Sequence, residues 1–550
     1  MSKTGGTVAI RPAQSRSRLV GVLALVAVVA WPAVAVVRLL GPRASTSSPL
    51  GDQALLALGA GRALQLDQLV GPYSRFGWHH PGPALFYVLA LPIWLFGSGV
   101  GLSLGTILIN GGASVATVAY LWRKVGALAA MWSAAALGLL SLGLGFFVIL
   151  YPWNPDVLVF PLILFSVLWA QAIRGDRTAL VWAAVVGSFV VQSHISTAPF
   201  CVIMLAAAVV GAVLSATRRR GATPALTNRP WLVAGTALLV ASVVPIVVEL
   251  VQDQPNNVTL LWGYFVAHPG AHSQLRLALL QAADALTVIP FGGATTGAGL
   301  YVDHGTVKML GAGAVMAMIA LAGFVVARRR GQRSAQLILA TAAAGAIIGI
   351  AATTRVTGGV LSYLVAWQSF APGALIIGVG CAFLGTEGTE RTEGPERTDR
   401  TEGPGPRRPA LLPVAVVSVL ALGLGANSVR MAIHQPALVG SNNPAALRLA
   451  TAAHDAVRVG SGAVNITIVD DITWVYAATV ALDLTQSGHP TTVSPAKWVT
   501  LFGHQDAPGR PTAMTITLLA DTNPEAAALS SSGAVVARAG GVIEVVAATR

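Results

Sequence analysis

The feature that most constrains this chain is a succession of apolar runs, most of them near bilayer-spanning length, separated by short clusters of arginine and lysine. The clusters are the N-terminus with Lys3, Arg11, Arg16 and Arg18, then Arg123 with Lys124, Arg174 with Arg177, Arg218 to Arg220 with Arg229, Arg328 to Arg330 with Arg333, and Arg391 to Arg408. Loops that stay in the cytoplasm keep such a basic excess, so each cluster orients its neighbouring spans. Placing all of them inside predicts eleven spans, near residues 19–40, 101–122, 127–149, 157–173, 179–198, 199–217, 231–251, 308–327, 335–353, 361–384 and 410–429. The N-terminus is then cytoplasmic and the C-terminus extracytoplasmic, as in a multi-pass protein of the plasma (inner) membrane. The stretch Pro83 to Phe96 is too short to span and would invert the charge alternation if it did, so an interfacial or re-entrant helix is expected there.

Composition enters only to exclude alternatives. With 54% hydrophobic and 10% charged residues, and a mean hydropathy of +0.68, the chain lies outside the range of water-soluble globular domains. Its formal charge of +13 therefore reads as a set of topology signals, not as a nucleic-acid footprint. Both cysteines, Cys201 and Cys381, fall within apolar runs, so neither a disulfide framework nor a thiolate metal site is expected. The first run is read as a retained helix because it is longer than a usual signal sequence, contains Trp31 and Pro32, and carries Arg38 near its far end.

The expected fold class is an all-α polytopic bundle with a small α/β domain after it. A basic N-terminus (1–18) leads into a transmembrane core (19–384). A low-complexity cytoplasmic linker (385–409), with its Thr-Glu-Gly and Glu-Arg repeats, precedes a last transmembrane helix (410–430). From 431 to 550 the pattern changes, with strands predicted at Val464 to Val469, Met514 to Leu519 and Val542 to Val546, and a helix at Trp474 to Thr485.

Polar residues that could carry chemistry concentrate in the loops assigned to the outer face. Asp52 opens a helix-like segment in the first of them, where its simpler role is a first-turn acid. The second outer loop, Tyr151-Pro-Trp-Asn-Pro-Asp156, leaves Asn154 and Asp156 at the top of a span, and Asp156 could do no more than cap it. His194 lies toward the outer end of the fifth span, with Arg355 on the last short outer loop and Tyr363 on the span after it. A carboxylate at such a site can remove a proton from an acceptor hydroxyl, while Arg and His can neutralise a departing phosphate. Transfer from a lipid-phosphate donor fits that chemistry. Two triplets, Asn257-Val-Thr and Asn465-Ile-Thr, match glycosylation acceptors.

The same features resemble the C-type (GT-C) glycosyltransferases, polytopic enzymes that use polyprenyl-phosphate sugars, and in particular the branch of protein O-mannosyltransferases and aminoarabinose transferases. The resemblance rests on Asp52 after the first span, a juxtamembrane helix closed by Leu95-Phe-Gly97, Asp156 at the mouth of the fourth span, and a domain after the last helix. It implies Asp52 as general base, Asp156 in the same site, and Tyr73, Arg75, His79 and His80 as donor or acceptor contacts; Asn154, His194, Arg355 and Tyr363, read from the outer loops themselves, complete the substrate-binding set. It also implies a polyprenyl-phosphate-linked sugar donor and an envelope glycan, lipid or protein acceptor. Asp52 is flanked by Gly51 and Gln53 where the family often carries an acidic pair, so a divalent metal ion stays open as a cofactor. The rival expectations are a transporter or flippase, which would place charges at mid-membrane, and a non-catalytic assembly protein, in which Asp52 would be dispensable.

Overall fold

Apolar runs in lipid close their own backbone hydrogen bonds, and a helix is the one open-chain way to do so. A computed structural model describes residues 12–41, 49–218, 229–253, 255–267, 275–291, 305–385, 411–434, 443–457, 462–503, 512–531 and 535–548. The expected linker, 385–409, lies outside the described residues except for Gly385. The membrane part comprises α1 (Pro12–Leu39), α2 (Asp52–Leu64), α3 (Ala84–Lys124), α4 (Ala127–Leu144), α5 (Phe146–Leu150), α6 (Val159–Ala172), α7 (Arg177–Ser193) and α8 (Ala198–Arg218). It continues with α9 (Arg229–Gln252), α10 (Asn257–Ala267), α11 (Leu275–Phe291), α12 (Thr306–Arg329), α13 (Arg333–Thr353), α14 (Phe370–Leu384) and α15 (Leu411–His434).

Among the described residues, nine helices are long and apolar enough to cross a membrane by length and composition. The spans expected at 157–173 and 179–198 form α6 and α7, apolar but of only 14 and 17 residues. The span expected at 127–149 is interrupted at Gly145, which separates α4 from α5. The sequence reading did not include α11, a mostly apolar helix that carries the buried polar residues Gln281, Asp284 and Thr287 and, near its start, Arg276. On the outside of the bundle α9 turns Val233, Leu238, Val240 and Val247 outward, each more than half exposed, a surface suited to lipid and not to water.

The stretch expected not to cross is the first limb of α3, and the chain reverses after it. Gly97 sits at φ 77° and ψ 166°, a conformation closed to residues with a Cβ. A Cβ added at Gly101 would come within 2.4 Å of Ile93 Cα, and one at Gly105 within 2.4 Å of Leu89 Cδ2. In a straight helix those pairs would be about 12 and 24 Å apart. Residues 84–96 therefore fold back as a hairpin against the start of the following limb.

The C-terminal part adds α16 (Pro444–Ala456), α17 (Trp474–Gln486), α18 (Val499–Phe502) and α19 (Pro524–Ser531) to a five-stranded sheet. With β1 (Tyr73–Ser74) and β2 (Trp78–His79) forming a separate hairpin in the first loop, the sheet strands are β3 (Ala463–Ile468), β4 (Thr491–Ser494), β5 (Thr512–Ala520), β6 (Val535–Ala539) and β7 (Val542–Ala548). Their order is β4-β3-β5-β7-β6, parallel across β4, β3 and β5 and antiparallel from β5 to β6. Strict alternation drives β3, whose Val464, Ile466 and Ile468 are buried while the residues between them are half-buried. The strands β4 and β6, absent from the sequence reading, are short segments without a sustained apolar alternation.

One residue in this sheet has a measurable consequence. Glu544, on β7 between Leu518 of β5 and Ala537 of β6, is fully buried, and neither carboxylate oxygen has a hydrogen-bond partner among the described residues. Burial pushes its carboxyl up from 4.5 to about 8. The folded chain thus holds this proton where the unfolded chain has already released it, and the stability it carries below pH 4.5 is lost as pH rises toward 8. At pH 7 the loss is on the order of 3 kcal/mol. Glu544→Gln should raise the unfolding midpoint of the sheet at pH 8 and leave it nearly unchanged at pH 4.5, as followed by hydrogen exchange of β5 and β7.

Candidate active site

The first loop builds a wall from its own backbone. Tyr73 pairs with His79 and Ser74 with Trp78, so the three residues Arg75, Phe76 and Gly77 form the hairpin tip. The hairpin is held at its base by α10. The His79 backbone N–H donates to Asn257 Oδ1 (2.8 Å), and Asn257 Nδ2 donates to the His79 carbonyl (2.9 Å). Asn257 is therefore a buried structural amide, closed to glycosylation, and Glu249 accepts from its backbone N–H. At the tip, Arg75 donates to the Gly359 carbonyl (3.0 Å), while Tyr264 on α10 hydrogen-bonds Thr357. The turn that carries Arg355 is thereby tied to both the hairpin and α10.

These elements enclose a cavity of about 450 Å³. Of the residues singled out from the sequence, Asp52, Tyr73, Arg75, His79 and His80 from the first loop line it. So do Asn154, His194, Arg355 and Tyr363 from three later loops. Asn154 Nδ2 donates to the Ser193 carbonyl (3.1 Å), which joins the second outer loop to the end of α7. Trp153 and Tyr363 stack obliquely with centroids 5.0 Å apart, and Trp78 meets Tyr264 edge to face at 5.8 Å. Aromatic faces of this kind suit the C–H faces of a sugar ring.

Asp156 is placed differently. It is buried and is not among the residues lining the cavity, its carboxylate oxygens have no hydrogen-bond partner among the described residues, and it caps no helix with its side chain. Tyr151 lies within the field of both acids. Burial first, then Asp52 and Asp156, push its phenol up to about 12.

Asp52 is the first residue of α2, and its N-cap is Gly51, whose φ of 56° and close packing suit glycine. The Asp52 side chain is exposed where it opens into the cavity, while the protein atoms packed around it take the place of part of its hydration. That burial raises the carboxyl from 3.8 to about 6, partly offset by the Trp153 indole. Tyr363 senses both ends of the site. After burial, the charge of Arg75 pulls its phenol down and that of Asp52 pushes it up. Arg355 is exposed to the cavity and makes no side-chain hydrogen bond or ion pair among the described residues.

His80 and His194 are neutral polar groups. His79 Nδ1 lies 3.0 Å from the Gly71 carbonyl, which can only accept, so that nitrogen carries the proton. His80 Nδ1 accepts from the Ile195 backbone N–H (3.2 Å), and its ring packs 4.5 Å from that of His194. Burial, with His194 and His79 beside it, holds His80 well below its ordinary value. Sequence reasoning offered His and Arg together as positive charge for a phosphate, whereas the structure leaves that charge to the arginines.

Metal coordination was open from the sequence. Among the described residues no group of three or more His, Cys, Asp or Glu side chains converges. Asp52 is the one carboxylate among the described cavity residues, and the lining histidines are each engaged through Nδ1. That donor set does not fit the multiple oxygen ligands a divalent magnesium or calcium ion takes.

Several cavity residues were not singled out in the sequence. Arg62 and Gln68 come from α2 and the loop after it, Tyr264 from α10, and Trp474, Trp498 and Leu501 from the C-terminal part. For the last group no local signal exists, because they reach the site through long-range packing of α17 and α18.

No family model matches the sequence, and no curated protein matches it. Among solved structures, the chain is similar to ArnT from Cupriavidus metallidurans in the apo state. The identity is 14% and the TM-score 0.40, over 97% of this chain and 98% of that one. It is also similar to the Archaeoglobus fulgidus oligosaccharyltransferase in the apo form, at 14% identity and a TM-score of 0.37 over 86% of this chain. That match covers 64% of the archaeal chain, so less than two thirds of its length. At such similarity the activity has to be read from the cavity itself.

Proposed function

We propose that the protein is a membrane glycosyltransferase that moves a sugar from a polyprenyl-phosphate donor to a cell-envelope acceptor on the outer face of the plasma membrane. The N-terminus is cytoplasmic and the C-terminal α/β domain extracytoplasmic in this reading, as the basic clusters require. The observation that carries it is one carboxylate, raised to about 6, facing an arginine-bearing wall across an aromatic cavity at the end of the helical bundle.

Each part of the cavity has a task in one displacement. Asp52 takes the proton of the acceptor hydroxyl as its oxygen attacks the anomeric carbon. The bond from that carbon to the phosphate oxygen breaks, and polyprenyl phosphate departs with one additional negative charge. Arg355 and Arg75 face that charge, with His80 as a neutral hydrogen-bond donor through Nε2. Trp153, Tyr363 and Trp78 hold the ring, and the exposed Trp262, Phe265 and Val266 on α10 give the lipid tail an apolar approach. Because the acceptor oxygen displaces the phosphate in this one step, configuration at the anomeric carbon inverts.

The pH profile tests this reading. Below about 6 Asp52 is protonated and cannot accept the hydroxyl proton, so kcat/KM should rise about tenfold per pH unit and level off above that value. A profile flat from pH 4.5 to 8 would remove Asp52 from the chemical step.

A further inference from the structure

Beside the main cavity lies a second, of about 340 Å³, and the two share Arg62 and Gln68 as a common wall. Arg62 Nε donates to Gln68 Oε1 (2.8 Å), and Gln68 Nε2 donates to the Val70 carbonyl (2.7 Å), so the wall is an ordered polar pair. The second cavity is bordered by Asp67, by Gln252 and Asp253 at the end of α9, and by Gly503 after α18. Gly503 approaches so closely that a Cβ there would sit 2.7 Å from the Arg62 guanidinium.

The C-terminal part is thus fastened to both cavities. The Gly51 backbone N–H donates to the Val475 carbonyl (3.1 Å), and Thr479 Oγ1 donates to the Pro49 carbonyl (2.9 Å). Both contacts hold the segment immediately before Asp52. Trp474 and Trp498 then close the main cavity from this side, with the Lys497 ammonium 5.1 Å from the centroid of the Trp498 ring. Trp474, whose ring lies against Gly51, and Trp498 line the main cavity, and amides and carboxylates line the second cavity across the shared wall. Indole faces suit sugar C–H faces, and paired carboxylates and amides suit adjacent hydroxyls.

We propose that the acceptor is an oligosaccharide of at least two sugar units, and that the C-terminal domain supplies half of its binding site. The unit bearing the attacking hydroxyl rests on Trp474 and Trp498 next to Asp52. The following unit lies across Arg62 in the second cavity, where Asp67, Gln252 and Asp253 take its hydroxyls. The second cavity sets ionic and amide groups beside Leu66, Leu69, Val70 and Val248, and Asp67, Gln252 and Asp253 give it the partners that a sugar's hydroxyls need. The inference rests on the transferase reading for the role of the ligand, though not for its binding.

The test is equilibrium binding to the full chain in lipid nanodiscs, read by saturation-transfer NMR. The probes are maltose, mannobiose and arabinobiose, the corresponding methyl monosaccharides, and a Ser/Thr-containing peptide. At least one disaccharide should bind tenfold or more tighter than its methyl monosaccharide. Gln252→Ala combined with Asp253→Ala, at the rim where folding is least at risk, should abolish that advantage and leave monosaccharide binding in place. Trp474→Ala with Trp498→Ala should weaken both sugars about tenfold. Equal binding of mono- and disaccharides, a disaccharide advantage that survives the rim variant, or preferential binding of the peptide would overturn the proposal. Asp52→Asn should keep the disaccharide preference. Preference without transfer from any polyprenyl-phosphate sugar would sink the catalytic reading and leave this inference standing, while transfer without preference would do the reverse.

Discussion

Replacing Asp52 with Asn should lower sugar transfer by about a hundred- to ten-thousand-fold, the usual range for removal of a general base, at unchanged expression and thermal midpoint. The carboxamide is nearly isosteric, and Asp52 makes no N-cap hydrogen bond whose loss would weaken α2. The change therefore removes proton-accepting capacity and little else. Because the variant no longer has a titrating group near pH 6, its residual rate should also lose the acid limb of the wild-type profile. A merely structural first-turn acid would predict the opposite pair of results, lower stability with an unaltered profile.

Arg355→Met should produce the second largest effect, a loss of about a hundred- to a thousand-fold in kcat, in the range found when one donor to a developing anion is removed. Methionine keeps much of the apolar stem while deleting the charge. Since Arg355 has no side-chain hydrogen bond or ion pair among the described residues, its removal breaks no internal contact of that kind. The acceptor KM should change little, because the charge it stabilises appears only as the phosphate leaves. Arg75→Met should cost stability as well, since its guanidinium also fixes the hairpin to the Gly359 carbonyl. Comparing the two separates phosphate stabilisation from scaffolding.

The bundle was readable in the sequence because lipid imposes a strong local rule. A run of apolar residues near bilayer length, bounded by arginines, has few other structures open to it, and α1, α9, α12 and α13 fall close to their expected positions. The rule gives out where helices are interrupted by geometry. Gly145 splits one expected span at a position hydropathy does not mark, whereas the break between α7 and α8 falls within a few residues of the boundary expected at 198/199. It also gives out for α11, where Gln281 and Asp284 are buried against other helices and break the apolar run.

The cavity was legible in part for a similar reason. Asp52, Asn154 and Arg355 stood out as polar residues in loops that the charge rule placed at one end of the bundle, Arg75 and His80 came from the family resemblance of the long first loop, and helices bring such loops together. What each group does depends on neighbours far away in sequence. Whether His80 is charged is decided by His194 and by burial, more than a hundred residues from its own motif. Asp156 was expected beside Asp52 by position, and the two acids both act on Tyr151, though Asp156 is buried and does not line the cavity. Trp474, Trp498 and Arg62 are ordinary residues in their local sequence and acquire meaning only when α17 docks against the segment before α2.

The most direct measurement is acceptor-dependent release of polyprenyl phosphate by the purified chain, followed together with the anomeric configuration of the product. The account predicts one equivalent of lipid monophosphate per sugar transferred, inversion at the anomeric carbon, and neither product with Asp52→Asn. Release of a lipid diphosphate, retention of configuration, or equal turnover by Asp52→Asn would contradict it.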